Sequence, residues 1–241
     1  MDGTTDGELS LGTTIVGIVA DGGTEADSTG HPNEATDTTG RANEAADAAG
    51  TADESAGAVV LASDRRASLG GMVASKRAEK VYPVGDAAAL AFTGSVSGAQ
   101  ALVSDLNAER RLYELRRGRR MSTTALAGYA ATEMRRQQYG VQHLLGGVDD
   151  DGARLFAFDA AGSTLEQPYA ADGSGGQVAY GTLENGYEEG IGVGEAERLA
   201  ARAVAAASER DTASGNGLQL VTVTADGVES GVYDDPAAVA A

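Results

Sequence analysis

The 241-residue chain predicts an α+β fold, with two stacked antiparallel sheets between helical layers satisfying its element order. Three observations lead there. The segments run strands, two helices, strands, one helix, strands. The strand segments are short β-branched or apolar runs punctuated by turn residues. The helical segments carry apolar residues near helical spacing with charges opposite.

Taken in order, residues 1–12 (MDGTTDGELSLG) form a leader without periodicity, and 13–19 (TTIVGIV) read as a strand. Residues 21–56 differ from everything around them. They hold nine acids (Asp21, Glu25, Asp27, Glu34, Asp37, Glu44, Asp47, Asp53, Glu54), one base (Arg41), and a degenerate repeat, Asn33-to-Gly40 then Asn43-to-Gly50. With almost no Leu, Ile or Phe, such a segment cannot bury enough surface to offset its ordering entropy, so a disordered insertion at a hairpin tip is expected. A calcium loop would need D-x-[DN]-x-[DN]-G, which is absent.

Residues 57–62 (GAVVLA) then read as a buried strand pairing with 13–19, and short strands follow around 71–74, 81–84 and 88–93. Residues 97–117 are expected to be helical, with Ala101, Leu102, Leu106, Leu112 and Leu115 on one face and Gly118 ending the run. Ser122 caps a second helix to about Gln138. Residues 142–148, 153–159 and 164–170 read as an antiparallel meander whose first turn is Asp149-Asp150-Asp151-Gly152. A helix over about 194–209 carries an alanine stripe (Ala200, Ala203, Ala207) that permits close packing. Strands 219–225 and 228–232 close the pattern around Asp226-Gly227, and 234–241 read as a loose tail.

Composition excludes several function classes. There is no cysteine, hence no disulfide framework, thiol nucleophile or zinc–thiolate site. No apolar run approaches the ~20 residues that span a bilayer, and the acidic leader argues against a secretory signal. A soluble, cytoplasmic protein without membrane association is expected. The formal net charge is -18, with only two lysines (Lys76, Lys80) against sixteen arginines. Acid-rich, lysine-poor surfaces keep proteins soluble in high salt. A phosphate-binding face needs clustered positive charge, so nucleic acid is not an expected partner.

The chemistry-bearing residues stand in a definite order: Gly12-Thr13-Thr14, Ser63-Asp64-Arg65-Arg66, Lys80, Gly94, Gly173-Ser174-Gly175 and Arg210-Asp211-Thr212-Ala213-Ser214-Gly215. In a chain that uses arginine sixteen times, a lysine stands where arginine would not serve. A buried lysine beside a carboxylate can tune neighbouring pKa values, whereas arginine stays charged. His31 and His143 are the only histidines, and neither has the setting of a Ser-His-Asp triad.

Order and spacing resemble the proteasome β subunits of archaeal type, N-terminal-nucleophile hydrolases, from Thr13 to about Val232 with one interruption. The resemblance implies a four-layer αββα sandwich over 13–233, interrupted by 21–56. It further implies a prosegment, 1–12, removed by autocatalytic cleavage between Gly12 and Thr13. Thr13 would be the nucleophile, its freed α-amine the base. Lys80 would lie beside the hydroxyl, held by Asp64. Ser174, Asp211 and Ser214 would orient the amine and the lysine, and Gly94 N–H would form the oxyanion hole. Ala67, Ala78, Phe92 and Val96 would line an apolar specificity pocket. No cofactor or metal is implied. The partners implied are proteasome α subunits in an α7β7β7α7 barrel, other β subunits, and an ATPase ring feeding unfolded protein. The insertion departs from the tight turn usual between the first two strands. Two alternatives stay open: a bacterial-type two-ring threonine peptidase, and a non-catalytic structural β subunit.

Overall fold

The computed structural model describes residues 10–22, 57–69 and 71–240. Most of the leader and nearly all of the acidic insertion therefore lie outside the described residues. Two antiparallel sheets organise the rest. The first joins β1 (Ser10–Leu11), β7 (Ala88–Ser95), β8 (Val141–Asp149), β9 (Gly152–Phe158) and β10 (Thr164–Glu166), with β6 (Val81–Pro83) also paired to β7. The second has the order β11 (Tyr169–Asp172), β2 (Ile15–Ala20), β3 (Ala58–Asp64), β12 (Leu218–Thr224), β13 (Gly227–Tyr233). A small hairpin, β4 (Ala67–Leu69) with β5 (Met72–Ser75), stands apart.

Alternation along the strands sorts their side chains into separate cores. Ile15, Val59, Leu61, Val221 and Val223 of the second sheet meet Ala89, Ala91, Leu144 and Leu155 of the first in one apolar cluster. The intervening residues of the first sheet, Leu90, Phe92 and Leu145, pack with Leu102, Leu106, Leu126 and Met134 of α1 (Val96–Arg117) and α2 (Thr123–Gln137). On the second sheet Val16, Ile18, Val60 and Leu220 pack with α3 (Gly176–Gly186) and α4 (Val193–Arg210). Ala200, Ala203 and Ala207 are fully buried, so the alanine stripe of α4 is the face that approaches the sheet. No helix among the described residues is long and apolar enough to cross a membrane.

Helix ends follow local chemistry. Ser95 Oγ accepts from Gly98 N at the start of α1, and Gly118, with φ of 67°, ends it. Ser122 Oγ accepts from Ala125 N at the start of α2. The expected pairing of the first two long strands is present, from Ile15 opposite Ser63 to Ala20 opposite Ala58.

Four differences from expectation have physical causes. Leu112 and Leu115 are exposed, Leu115 at 83%, and no side chain from Asn107 to Arg117 is buried. Helical spacing marks one face of α1, but only its first half lies against the sheet. The third strand of the expected meander is divided at Pro168. Thr164–Glu166 pairs with β9, whereas Tyr169–Asp172 crosses to the edge of β2 in the other sheet. Proline cannot donate to a ladder, and the change of sheet occurs there. Helix α3 was not expected, because Gly176, Gly181 and Gly186 lower its propensity and it has no side-chain cap. Last, the terminal segment read as loose forms α5 (Ala237–Ala240), with Val239 and Ala240 packed on the α3–α4 core.

Candidate active site

The site assembles where five chain segments converge: the entry to β2, the end of β3, the residue before β6, the turn before α3 and the loop after α4. Thr13 and Thr14 precede β2 and are fully buried. Asp64 is the last residue of β3, fully buried, and its carboxylate takes five donors. Oδ1 accepts from Thr13 Oγ1 at 2.6 Å, Thr14 N at 2.9 Å and Lys80 Nζ at 2.6 Å. Oδ2 accepts from Arg66 N and Gly215 N, each at 2.9 Å. A buried charge with every lone pair engaged is held in one geometry.

Lys80, also fully buried, donates from Nζ to Thr13 Oγ1 as well as to Asp64. Burial pushes its pKa below the usual lysine range, and the Asp64 charge and hydrogen bond only partly oppose this. The cation beside the hydroxyl is therefore easier to deprotonate than a surface lysine. Thr13, Asp64 and Lys80, far apart in sequence, share one hydrogen-bonded cluster.

A second network touches the Thr13 backbone. Ser174, in the turn between β11 and α3, accepts from Thr13 N at 3.0 Å and lies 3.3 Å from Thr13 O. Its hydroxyl also donates to Asp211 Oδ2 at 2.6 Å, as does Ser214 Oγ at 2.6 Å. Asp211 leaves α4 in an extended conformation (φ −96°, ψ 117°), which turns its carboxylate back towards these hydroxyls. Burial alone would raise its pKa, but the hydrogen bonds from Ser174 and Ser214 hold it below the usual carboxylate value. Glycine is required at Gly173, where φ is 93° and a Cβ would collide with Thr13 O.

Gly94 lies on β7 with φ of 103°, and a Cβ there would meet the Gly140 carbonyl. It is the register partner of Leu11 in the antiparallel β1–β7 pair, so the residues just before Gly12 run along its edge. Ala67, Ala78, Phe92 and Val96 share one apolar cluster. Ala67 and Phe92 are buried within it and Ala78 and Val96 partly so. The Phe92 ring stacks on Tyr82, centroids 5.7 Å apart.

Two contributors escaped the sequence reading. Thr14 Oγ1 lies 2.8 Å from Ser214 Oγ, tying the second threonine of the doublet to the Asp211 network. Arg66 donates to Thr212 O at 2.6 Å and Asn216 Oδ1 at 2.9 Å, clamping the loop that carries Asp211 and Ser214. The doublet and the adjacent arginine pair were visible, but nothing local told a clamp from an exposed cation.

Residues 51–223 match the family described as "Proteasome subunit". The chain belongs to the proteasome subunit family. Among its relatives, "Proteasome subunit beta" of Halorubrum lacusprofundi is 49% identical over 178 residues, 73% of each chain. That of Haloquadratum walsbyi is 49% identical over 177 residues, again 73% of each. "Proteasome subunit beta 1" of Haloarcula marismortui is 48% identical over 178 residues, 73% of this chain and 74% of the relative. This proteasome-family chain thus resembles β subunits named from several haloarchaea, in keeping with its acidic, lysine-poor composition.

Proposed function

We propose that the chain is a catalytic β subunit of a 20S-type proteasome core, a threonine endopeptidase that degrades unfolded protein inside an α7β7β7α7 barrel. The observation that carries this reading is the buried cluster in which the Thr13 hydroxyl meets both Asp64 and Lys80 Nζ. The two sheets and the helices on their outer faces suit the four-layer αββα sandwich of N-terminal-nucleophile hydrolases.

In the uncut chain the Thr13 nitrogen is an amide and has no basic lone pair. Thr13 Oγ1 attacks the Gly12 carbonyl carbon as its O–H bond breaks, and the proton passes to the departing nitrogen. The C–N bond breaks, leaving Gly12 as an ester on Oγ1 and the α-amine free. Water hydrolyses the ester, freeing residues 1–12 as a carboxylate and restoring the hydroxyl. The pairing of Leu11 with Gly94 supports this, because Ser10–Leu11, just before the bond to be cut, already pair with the strand that carries the oxyanion donor.

The freed amine, titrating near ~8, then takes the Thr13 hydroxyl proton through a water as Oγ1 attacks a substrate carbonyl. Lys80 stabilises the developing alkoxide and Asp64 fixes Lys80. Ser174, Asp211 and Ser214 hold the amine, and the Gly94 N–H receives the oxyanion. The amine returns its proton to the leaving nitrogen, and water releases the acyl group. Ala67, Ala78, Phe92 and Val96 give an apolar preference before the scissile bond. Ala20 and Ala58, which flank residues 21–56, are register partners at the end of the β2–β3 pair opposite Asp64. Other β subunits, α subunits and a cytoplasmic ATPase ring are the partners.

The test is hydrolysis of a fluorogenic peptide with an apolar residue before the bond, by the particle co-produced with α subunits. Thr13→Ala should be inactive and Thr13→Ser partly active. Activity retained by Thr13→Ala would overturn the reading.

A further inference from the structure

Gln219 is the polar exception in a strand whose alternate residues, Val221 and Val223, belong to the cluster between the sheets. It is buried, 3% exposed, and its side chain crosses from β12 in the second sheet to β6 in the first. Oε1 accepts from Lys80 N at 2.8 Å and Val81 N at 3.1 Å, and Nε2 donates to Val81 O at 2.8 Å. β6 is three residues long and pairs with β7 on one edge, where Phe92 N donates to Lys80 O at 2.9 Å. The Gln219 carboxamide supplies one peptide unit's worth of ladder on the other edge. Its own backbone faces Ser63, while Leu218 faces Asp64. One residue therefore ties the strand that ends in Asp64 to the segment that carries Lys80.

We infer that Gln219 is a positioning residue for the peptidase reaction, setting the Lys80 ammonium against Asp64 and the Thr13 hydroxyl by fixing the Lys80–Val81 backbone. The inference rests on the threonine-peptidase reading and adds to it a requirement for an amide at 219. Removing the carboxamide leaves three buried backbone groups without partners, and β6 must shift to find others. Misplacement of a reacting group by about 1 Å is enough for a loss on the order of 100-fold.

The experiment measures kcat, KM and their pH dependence in assembled particles, normalised to Thr13 sites titrated with a covalent threonine-directed inhibitor. Gln219→Met, of similar volume, should lower kcat per titrated site by about 10- to 100-fold with KM within about threefold. Gln219→Glu discriminates further. A protonated carboxyl can accept from Lys80 N and Val81 N and donate to Val81 O, reproducing all three bonds, but an ionised one repels the Val81 carbonyl. Its kcat should approach wild type on the acid side and fall as pH rises through the introduced group's pKa, adding a limb that wild type lacks. Should Gln219→Met not assemble, Gln219→Glu decides alone. Wild-type kcat per site in these variants at every pH, or a loss confined to the number of titratable sites, overturns the inference. Wild-type particles that bind no threonine-directed inhibitor would instead overturn the peptidase reading itself.

Discussion

Replacing Lys80 with arginine separates a catalytic cation from a structural one. Lys80 is fully buried, and its Nζ reaches Asp64 Oδ1 and Thr13 Oγ1 from a single point. Arginine keeps the charge but spreads it over a larger planar fork that stays protonated at any working pH. Fitting it displaces Asp64, Thr13 or the Gln219-held segment, an overpacking cost of about 1–3 kcal/mol that an assembled particle should tolerate. Catalysis should suffer more: the compact donor beside Oγ1 is lost and its depressed pKa cannot be reproduced. We expect folded particles with kcat/KM for an apolar peptide lowered at least ~100-fold, equivalent to about 2.7 kcal/mol of barrier. Lys76→Arg, at an exposed position four residues earlier, should stay within about twofold. Wild-type turnover by Lys80→Arg would refute the reasoning.

Replacing residues 21–56 with Asn-Gly should leave folding and peptidase activity intact, since Ala20 and Ala58 are already register partners; loss of ring assembly on native gels would contradict this. Gly173→Ala should abolish autoprocessing, because its Cβ would overlap Thr13 O; normal leader removal seen by mass spectrometry would count against that geometry. His143 is fully buried, stacked on Phe158 at 4.1 Å with neither ring nitrogen bonded, and burial lowers its pKa to about 3. The unfolded chain then binds the extra proton below about 6.5, so the His143 contribution to stability should be constant above that pH and fall beneath it, by about 2 kcal/mol at pH 5. His143→Leu should remove that part of the slope in denaturant titrations, and parallel profiles would argue against it. With a net charge of -18, sedimentation should show rings weakening as molar salt is withdrawn, and equal stability at low salt would argue against the high-salt reading.

The legible parts of the fold were those written in local pattern. β2, β3, α2, α4 and the β12–β13 hairpin follow from β-branched runs, a serine cap, an alanine stripe and turn residues. Helix α3 was hidden because three glycines erase the helical signal, and its formation depends on the core that Ala179 and Leu183 enter. Nothing local to Tyr169–Asp172 says that it changes sheets, since an edge strand's partner is a tertiary choice. At the site, the sixteen-residue separation of Asp64 and Lys80 was readable and their contact is present. Gln219 gave only a faint signal, a polar residue in step with two buried valines. Its meaning lies in a strand 138 residues away.

The central claim is that Thr13 becomes the first residue of the active chain, because only then does it carry its own base. Intact mass and N-terminal sequencing of the β chain from active particles test this directly. The account predicts Thr-Thr-Ile-Val at the mature N-terminus, and a Thr13→Ala chain that keeps residues 1–12. A fully active particle whose β chain begins at any other residue would contradict it.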